Sequence, residues 1–592
     1  VTACTSPVPP ADIFPTEQWQ HIHQLLQPLQ ASQALWLSGY LAARATANDP
    51  APSAAASAAA QTITIAYGSE TGNCEQLARQ LQQKALAAGH AAQLIDLAEL
   101  KVRQLRKLTT LWLITSTHGD GDPPLGAIDF HRDLLATEKL ELKGLEFAVL
   151  ALGDSSYERF CQTGIDIDLA LAALGARRIS ERLDCDVDFE SSAQNWLQAR
   201  LEELPEAGEQ AAIAVVTSSP KAAGTTYSKQ QPMHSEVLEQ LCLSEASREH
   251  GNYHLSLALD EGSMPLEPGD AVGVLASNPA SLVAAVLDCT ALAADAEVQI
   301  AEQKLRLVDA LSEQRDLAIP GKNLLLQWAQ WSDNAALAAL VEDNKELRNW
   351  LKQHHVLDLL QNYPAQVPDA QALVDALRPL QPRLYDVANY IDPEQDELHL
   401  LVKRFDYTLG NQVHPGIASH YLCNLGLGDS VRIYPHRNPR FALSPRTEPV
   451  ILIGYGTGLA PYRAYLQARA ARGDSNPCWL VLGEQYYEQD FLYQSEWQKW
   501  LESGALTHLD PVFADDLPRR ELGCVFNEQE ERLQQWLAEG AIIYLCGDKA
   551  TLTRCEQRIQ ALHAKANGLC EASSAKEWKA LVSGGRIKRN LY

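Results

Sequence analysis

The sequence predicts a multidomain α/β chain. A doubly wound parallel sheet comes first, then an antiparallel barrel with a helix-rich insertion, then a second parallel α/β domain. Three observations predict it. The chain has 592 residues, too many for one hydrophobic core. Strand and helix patterns alternate regularly from Gln61 to about residue 203 and again after about residue 446. Two low-complexity stretches, 45–60 and 205–226, set the first alternation apart.

Taken in order, residues 1–45 carry apolar side chains at helical spacing, among them Trp19, Leu25, Leu29, Trp36 and Leu41. With the Ala/Pro/Ser linker that ends at residue 60 they form an N-terminal segment. From 61 to 203 the runs ITIAY, AQLIDL, TLWLITST, EFAVLAL and RRISERL read as five strands. Helical patterns follow Asn73, Gly126, Phe160 and Phe189. Continuous apolar strands joined by helices imply a parallel sheet covered on both faces. Such sheets bind ligands beyond the carboxyl ends of their strands. After the 204–226 linker, the alternation in HLSLAL and the turn at Pro268-Gly269-Asp270 predict antiparallel barrel strands within 227–445. A Leu- and Ala-rich helical stretch, about 280–375, interrupts them. The final domain, 446–592, alternates PVILIG, WLVLGE and IIYLCGD with helices.

Composition excludes several classes. A formal charge of −26 argues against nucleic-acid binding, which needs basic surface, and suits docking to a basic partner. No apolar run of about 18 residues occurs, so no membrane span is expected, and the start lacks a secretory pattern. Twelve cysteines without a CxxC pair or metal-ligand spacing read as reduced thiols of a cytoplasmic protein that holds no metal.

Three strand-end loops in the first domain stand out. Ser69-Glu70-Thr71-Gly72-Asn73 joins a strand to a helix. Its hydroxyls, its glycine and the free amides of a helix start make an anion cradle without any lysine. The second loop runs Ser116-Thr117-His118-Gly119-Asp120-Gly121-Asp122. The third runs Leu152-Gly153-Asp154-Ser155-Ser156-Tyr157, followed by Phe160 and Cys161. Glycines let backbone approach a flat ring, and Tyr157 can stack on one. Together the loops resemble the FMN site of flavodoxins and diflavin reductases. The resemblance implies that 69–73 hold the FMN phosphate while 117–122 and 153–161 flank the ring. His118 stands where many relatives place a second aromatic. Asp120, Asp122, Asp154 and Glu158 crowd charge there, a rim expected to dock a partner.

The same resemblance extends through the rest of the chain. Arg383 and Tyr385 match the residues that pair with the FAD pyrophosphate and pack on its ring, while Asp386 replaces the family's serine. Gly416, Ile417, Ala418 and Ser419 match its second pyrophosphate loop. Gly456-Thr457-Gly458 follows a strand and opens a helix, as a dinucleotide turn does. Arg463 and Cys546-Gly547-Asp548 support that reading. Where relatives that use NADPH carry Ser-Arg for the 2′-phosphate, Ala514-Asp515 stand here, with Arg519 and Arg520 beyond. The family's hydride-transfer group is a serine, a cysteine and an acid. Its positions hold Asp386, Cys546 and Asn590, and the terminal Tyr592 matches the aromatic that covers FAD.

Within the diflavin reductases, the order of parts resembles the flavoprotein subunits of assimilatory NADPH-sulfite reductases. That implies NADPH, FAD and FMN as cofactors and a siroheme iron–sulfur hemoprotein as partner. It also implies a hetero-oligomer in which the N-terminal segment makes subunit contacts. The departures at Asp386, Asp515 and Asn590 leave two alternatives open. One is a reductase that uses NADH or serves another partner; the other is a flavin-binding assembly subunit with impaired hydride transfer.

Overall fold

The structure, a computed structural model, describes residues 62–592 apart from 119–120, 138, 156, 205–226, 245–250, 261–263, 392–395, 410–411 and 444. The expected N-terminal helices and the 205–226 linker lie outside the described residues. Three main sheets follow one another along the chain.

The first sheet contains β1 (Ile63–Gly68), β2 (Ala92–Asp96), β3 (Thr110–Ser116), β4 (Glu146–Leu152), β5 (Arg177–Arg178) and β6 (Leu183–Cys185). Its strands run parallel in the order β2-β1-β3-β4-β5, with β6 also on β4. Helices α1 (Asn73–Ala87), α2 (Ile128–Leu135), α3 (Gln162–Ala173) and α4 (Glu190–Glu202) alternate with them. The five central residues of β3 are all buried, as a strand covered by helices on both faces requires. The RRISERL run, expected as one strand, forms two short ones. Between them the chain bends so that Arg178 and Arg182 both reach the buried carboxylate of Asp168, at 2.6 and 3.3 Å.

The second sheet is antiparallel, in the order β12-β9-β16-β7-β8-β13. Its strands are β7 (Met233–Cys242), β8 (Asn252–Ala258), β9 (Ala271–Leu275), β12 (Arg383–Asp386), β13 (Glu397–Lys403) and β16 (Ser430–His436). Burial alternates along the first half of β7, with Met233, Ser235 and Val237 inside, so one face meets solvent. Between β9 and β12 lies the helical insertion, from α5 (Ala280–Thr290) to α11 (Ala370–Ala376), with the hairpin β10 (Glu297–Ile300) and β11 (Gln303–Arg306). It has its own core around Trp328, Leu324, Leu359 and Leu373. A second hairpin, β14 (Asp406–Leu409) and β15 (Gln412–Pro415), leads into α12 (Ile417–Cys423).

The third sheet is parallel, in the order β19-β18-β17-β20-β21. Its strands are β17 (Val450–Tyr455), β18 (Cys478–Glu484), β19 (His508–Phe513), β20 (Ile542–Gly547) and β21 (Ile587–Leu591). Helices α13 (Ala460–Arg472), α14 (Tyr487–Asp490), α15 (Gln494–Ser503), α16 (Cys524–Glu528), α17 (Glu530–Ala538), α18 (Lys549–Ala566) and α19 (Glu571–Ser583) cover it. Both parallel sheets reverse strand order at one point, between β1 and β3 and between β17 and β20. Crevices open beyond the carboxyl ends of such strand pairs. Among the described residues no helix is long and apolar enough to cross a membrane.

Candidate active site and cofactor loops

The register levels the first crevice. Gly68 lies opposite Thr115, and Ser116 opposite Leu152, so the three loops leave their strands at one height. Gly72 caps α1 with φ 85°, a left-handed turn that a side chain disfavours. Ser69 Oγ accepts from the Cys74 amide at 3.2 Å, folding that hydroxyl over the helix start beside Glu70, Thr71 and Asn73. In the second loop, His118 and Asp122 exchange backbone hydrogen bonds of 2.8 and 2.9 Å. Gly121 lies within that turn, while Gly119 falls outside the described residues. Thr117 Oγ1 accepts from the Thr163 amide at 3.1 Å, tying the loop to α3.

The third loop is pinned from below. Ser155 donates to Asp186, through its amide at 3.1 Å and through its hydroxyl. Leu152 and Cys161 are buried. The Cys161 thiol packs on the carbonyls of Ala151 and Cys185, at 3.5 and 3.7 Å, and burial raises its pKa. Those two side chains form floor, as Gly153 and the half-buried Phe160 form wall. Tyr157, 43% exposed, is left free to meet a flat ring. This donor set, with hydroxyls and amides at one end and an exposed aromatic at the other, fits a phosphorylated flavin.

The acidic rim differs from expectation. Asp154 accepts from Arg378 Nη2 of the helical insertion at 2.7 Å, and Asp122 pairs with Lys549 at the start of α18. Cations of the same chain therefore occupy two of the four acids assigned to partner docking. Asp186 and Arg378 were not foreseen from the sequence, since nothing local marks a residue that positions a distant loop.

In the barrel, Arg383 and Tyr385 are two apart on β12 and so share a face. The α12 turn places Gly416, Ile417, Ala418 and Ser419 beside Phe405. The Ser419 hydroxyl, expected as a donor to phosphate, lies 3.1 Å from the Gly416 carbonyl and 3.2 Å from the Phe405 amide. Phe405 itself is 56% exposed, an aromatic platform beside the turn that sequence reading missed. An exposed aromatic beside a glycine turn, with Arg383 and Tyr385 on the neighbouring strand, fits a flavin dinucleotide.

The second crevice carries Gly456, Thr457 and Gly458 in a single 3₁₀ turn. A Cβ on Gly458 would lie 2.0 Å from the Cys546 carbonyl oxygen, so the 3₁₀ turn can sit this close to the end of β20 only with glycine there. Asp548 caps α18, accepting from the Thr551 amide at 2.7 Å. Arg463 turns away from the crevice. It is buried, paired to Glu496 by two bonds of 2.9 Å, and donates to Ala388 O at 2.8 Å. Its role is to fasten this domain to the barrel.

Cys546 and Asn590 are register neighbours on β20 and β21, and the edge strand β12 brings Asp386 to them. Asn590 Nδ2 donates to both carboxylate oxygens, at 2.9 and 3.1 Å. Cys546 Sγ stands 3.5 Å from Oδ2. Burial pushes the Asp386 carboxyl up to about 6, with the bonds from Asn590 and Cys546 pulling the other way. Burial and the neighbouring carboxylate raise the Cys546 thiol. The terminal Tyr592, 56% exposed, reaches Thr457 with its hydroxyl at 3.0 Å. One carboxyl group, that of Asp386, stands in this trio, held by the Asn590 amide beside the Cys546 thiol.

Beyond β19 opens a cavity of about 800 Å³ lined by Tyr455, Ala514, Arg519, Arg520, Arg554 and Arg558 among others. Asp515 lies 3.8 Å from Arg519, and Arg520 pairs with Glu528 at 2.6 Å. Arg554 and Arg558 come from α18. Their i,i+4 spacing after Cys546-Gly547-Asp548 was the available signal. Among the described residues no cluster of three or more His, Cys, Asp or Glu could hold a metal.

Three family models match the chain in this order: flavodoxin over residues 65–196, FAD binding domain over 225–421, and oxidoreductase NAD-binding domain over 452–557. The sulfite reductase (NADPH) flavoprotein alpha-component of Shewanella oneidensis is 38% identical over 591 residues, covering 97% of both chains. The protein of that name in Bacillus subtilis is 36% identical, covering 90% of this chain and 91% of its own. The Yersinia enterocolitica protein is 33% identical over 99% of this chain and 100% of its own. With flavin loops at one crevice and a dinucleotide turn at the other, the chain belongs to the sulfite reductase flavoprotein alpha-component family, the diflavin oxidoreductases that use FMN, FAD and a nicotinamide dinucleotide.

Proposed function

We propose that the chain draws electrons from NADPH and delivers them, through its two flavin sites, to a sulfite reductase hemoprotein that reduces sulfite to sulfide. FAD, when bound, supplies acceptance of one hydride, two electrons together, and FMN supplies delivery of single electrons. The flavodoxin-like region, about 61–203, is the outlet; the barrel, 227–445, and the nucleotide domain, 446–592, are the inlet.

In this reading Ser69, Thr71 and the α1 amides hold the FMN phosphate, and Tyr157 and His118 bracket its ring. Arg383 and the α12 turn hold the FAD pyrophosphate, with Tyr385, Phe405 and Tyr592 against its aromatic parts. The Tyr592–Thr457 bond keeps the terminal ring over the dinucleotide turn, and it must break for nicotinamide to enter. Asp386, Asn590 and Cys546 set the charge and the proton inventory where the nicotinamide ring arrives.

The observation that carries the choice of NADPH is the cationic cavity beyond β19. A 2′-phosphate would meet Arg519, Arg520, Arg554 and Arg558 there, with Lys565 beside them, five cations that outnumber the neighbouring carboxylates of Asp515, Glu521 and Glu528. Asp515 is also the one observation that favours NADH, since an acid at this point suits a ribose hydroxyl. The test uses the flavin-loaded chain with a purified siroheme hemoprotein, sulfite and either nucleotide. Sulfide formation with NADPH, and at least about tenfold less at equal NADH, is the expected result. Equal rates, or no sulfide with NADPH although the hemoprotein is active with a chemical reductant, overturns the proposal.

A further inference from the structure

Within the phosphate loop Ser69–Asn73 there is no lysine. The fold supplies one from elsewhere. Lys229 belongs to the first described segment after residue 226 and leads into β7 of the barrel. Its Nζ lies 3.1 Å from Oδ1 of Asn73, the first residue of α1. Next to it, Gln230 Nε2 donates to Gln76 Oε1 at 2.6 Å, one helical turn further along. Two successive side chains of the barrel segment thus grip the start of α1.

The charge on Lys229 is unanswered. Among the described residues no carboxylate lies within 4 Å of its ammonium, and Glu190 at the start of α4 attracts it only from further away. Glu75, in the first turn of α1, is paired with Arg79. Burial holds the Lys229 pKa below its usual value. A partly desolvated cation without a counter-charge is costly to keep. A side-chain carbonyl from Asn73 offsets little of that cost, whereas a phosphate dianion would offset most of it.

We propose that Lys229 is a further FMN-binding residue: the barrel segment reaches across and supplies the positive charge that the flavodoxin-like loop lacks. This rests on assigning Ser69–Asn73 to the FMN phosphate. A consequence follows from linkage. FMN binding and the seating of the barrel segment on α1 stabilise each other, because the same ammonium serves both.

The experiment compares FMN with riboflavin, which has the same ring but no phosphate, on the full-length protein loaded with FAD and stripped of FMN. Binding is read from flavin fluorescence for the natural chain, Lys229→Gln and Lys229→Arg. The expected result is FMN binding weakened about tenfold or more in Lys229→Gln. Riboflavin affinity and FAD content should be unchanged, and Lys229→Arg should bind FMN close to normally. Lys229→Gln binding FMN as well as the natural chain overturns the proposal. So does equal weakening toward FMN and riboflavin, which would make the contact merely structural. A natural chain that binds riboflavin as tightly as FMN would instead remove the phosphate assignment of the loop, and this proposal with it.

Discussion

Asp386 shows how a residue gains meaning from its neighbours. Read along the sequence, an aspartate for serine and an asparagine for acid are two separate losses. In the fold, the Asn590 amide grips the Asp386 carboxylate 3.5 Å from the Cys546 thiol, so the acid has changed sides. That exchange was illegible in the sequence because it depends on the pairing of β20 with β21 and on the barrel edge that meets them. The raised carboxyl gives a signed pH dependence. The native state keeps a proton that the unfolded chain releases above about pH 4. The stability it contributes is therefore full below about pH 4 and is lost as pH rises through about 6. Asp386→Asn should flatten that part of the melting-temperature profile and remove an inflection near pH 6 from the rate of flavin reduction. An unchanged profile contradicts the assignment. Tyr157 was fully legible, an aromatic in a glycine loop. Tyr157→Ala should lower retained FMN and leave FAD bound, as measured by flavin extraction; equal loss of both would argue against separate sites.

Elements were the easiest level to read. Buried runs such as β3 and β18 announce themselves, since their central residues, 111–114 and 478–482, are continuously apolar. Their loops could be inspected as ligand sites before any coordinates. Charged segments were harder: the 177–183 run broke in two because Asp168, on α3, draws in two of its arginines. Arg463, just after the glycine turn, supported the dinucleotide reading only as part of its pattern; in the fold it faces Glu496 and the barrel. At Gly458 the turn leaves no room for a side chain. Gly458→Ala would force the β17–α13 junction away from Cys546 and cost about 1–3 kcal/mol or more. Thermal unfolding should show that loss together with weakened nucleotide binding. Full stability in the variant would mean that the close approach is relaxed in solution.

Across the whole molecule, the three domains meet through ionic contacts that no local pattern predicts. Arg378 with Asp154, Lys549 with Asp122, and Arg440 with the Gly126 carbonyl at 3.1 Å hold the outlet against the inlet. The Arg378 side chain is almost fully buried while Asp154 is partly exposed. Removing the cation should therefore weaken docking by about 1–3 kcal/mol, between the values for surface and buried pairs. Arg378→Ala should enlarge the radius of gyration in small-angle scattering, and the natural chain should expand likewise at high salt. No change in either would show that these contacts do not govern docking.

If both crevices work in series, filled from NADPH, anaerobic stopped-flow mixing of the flavin-loaded protein with each nucleotide should show it. NADPH should bleach the absorbance of both flavins, with half-saturation at a concentration at least about tenfold lower than for NADH. Flavins that stay oxidised under NADPH, or that bleach equally with NADH at equal concentration, would contradict it.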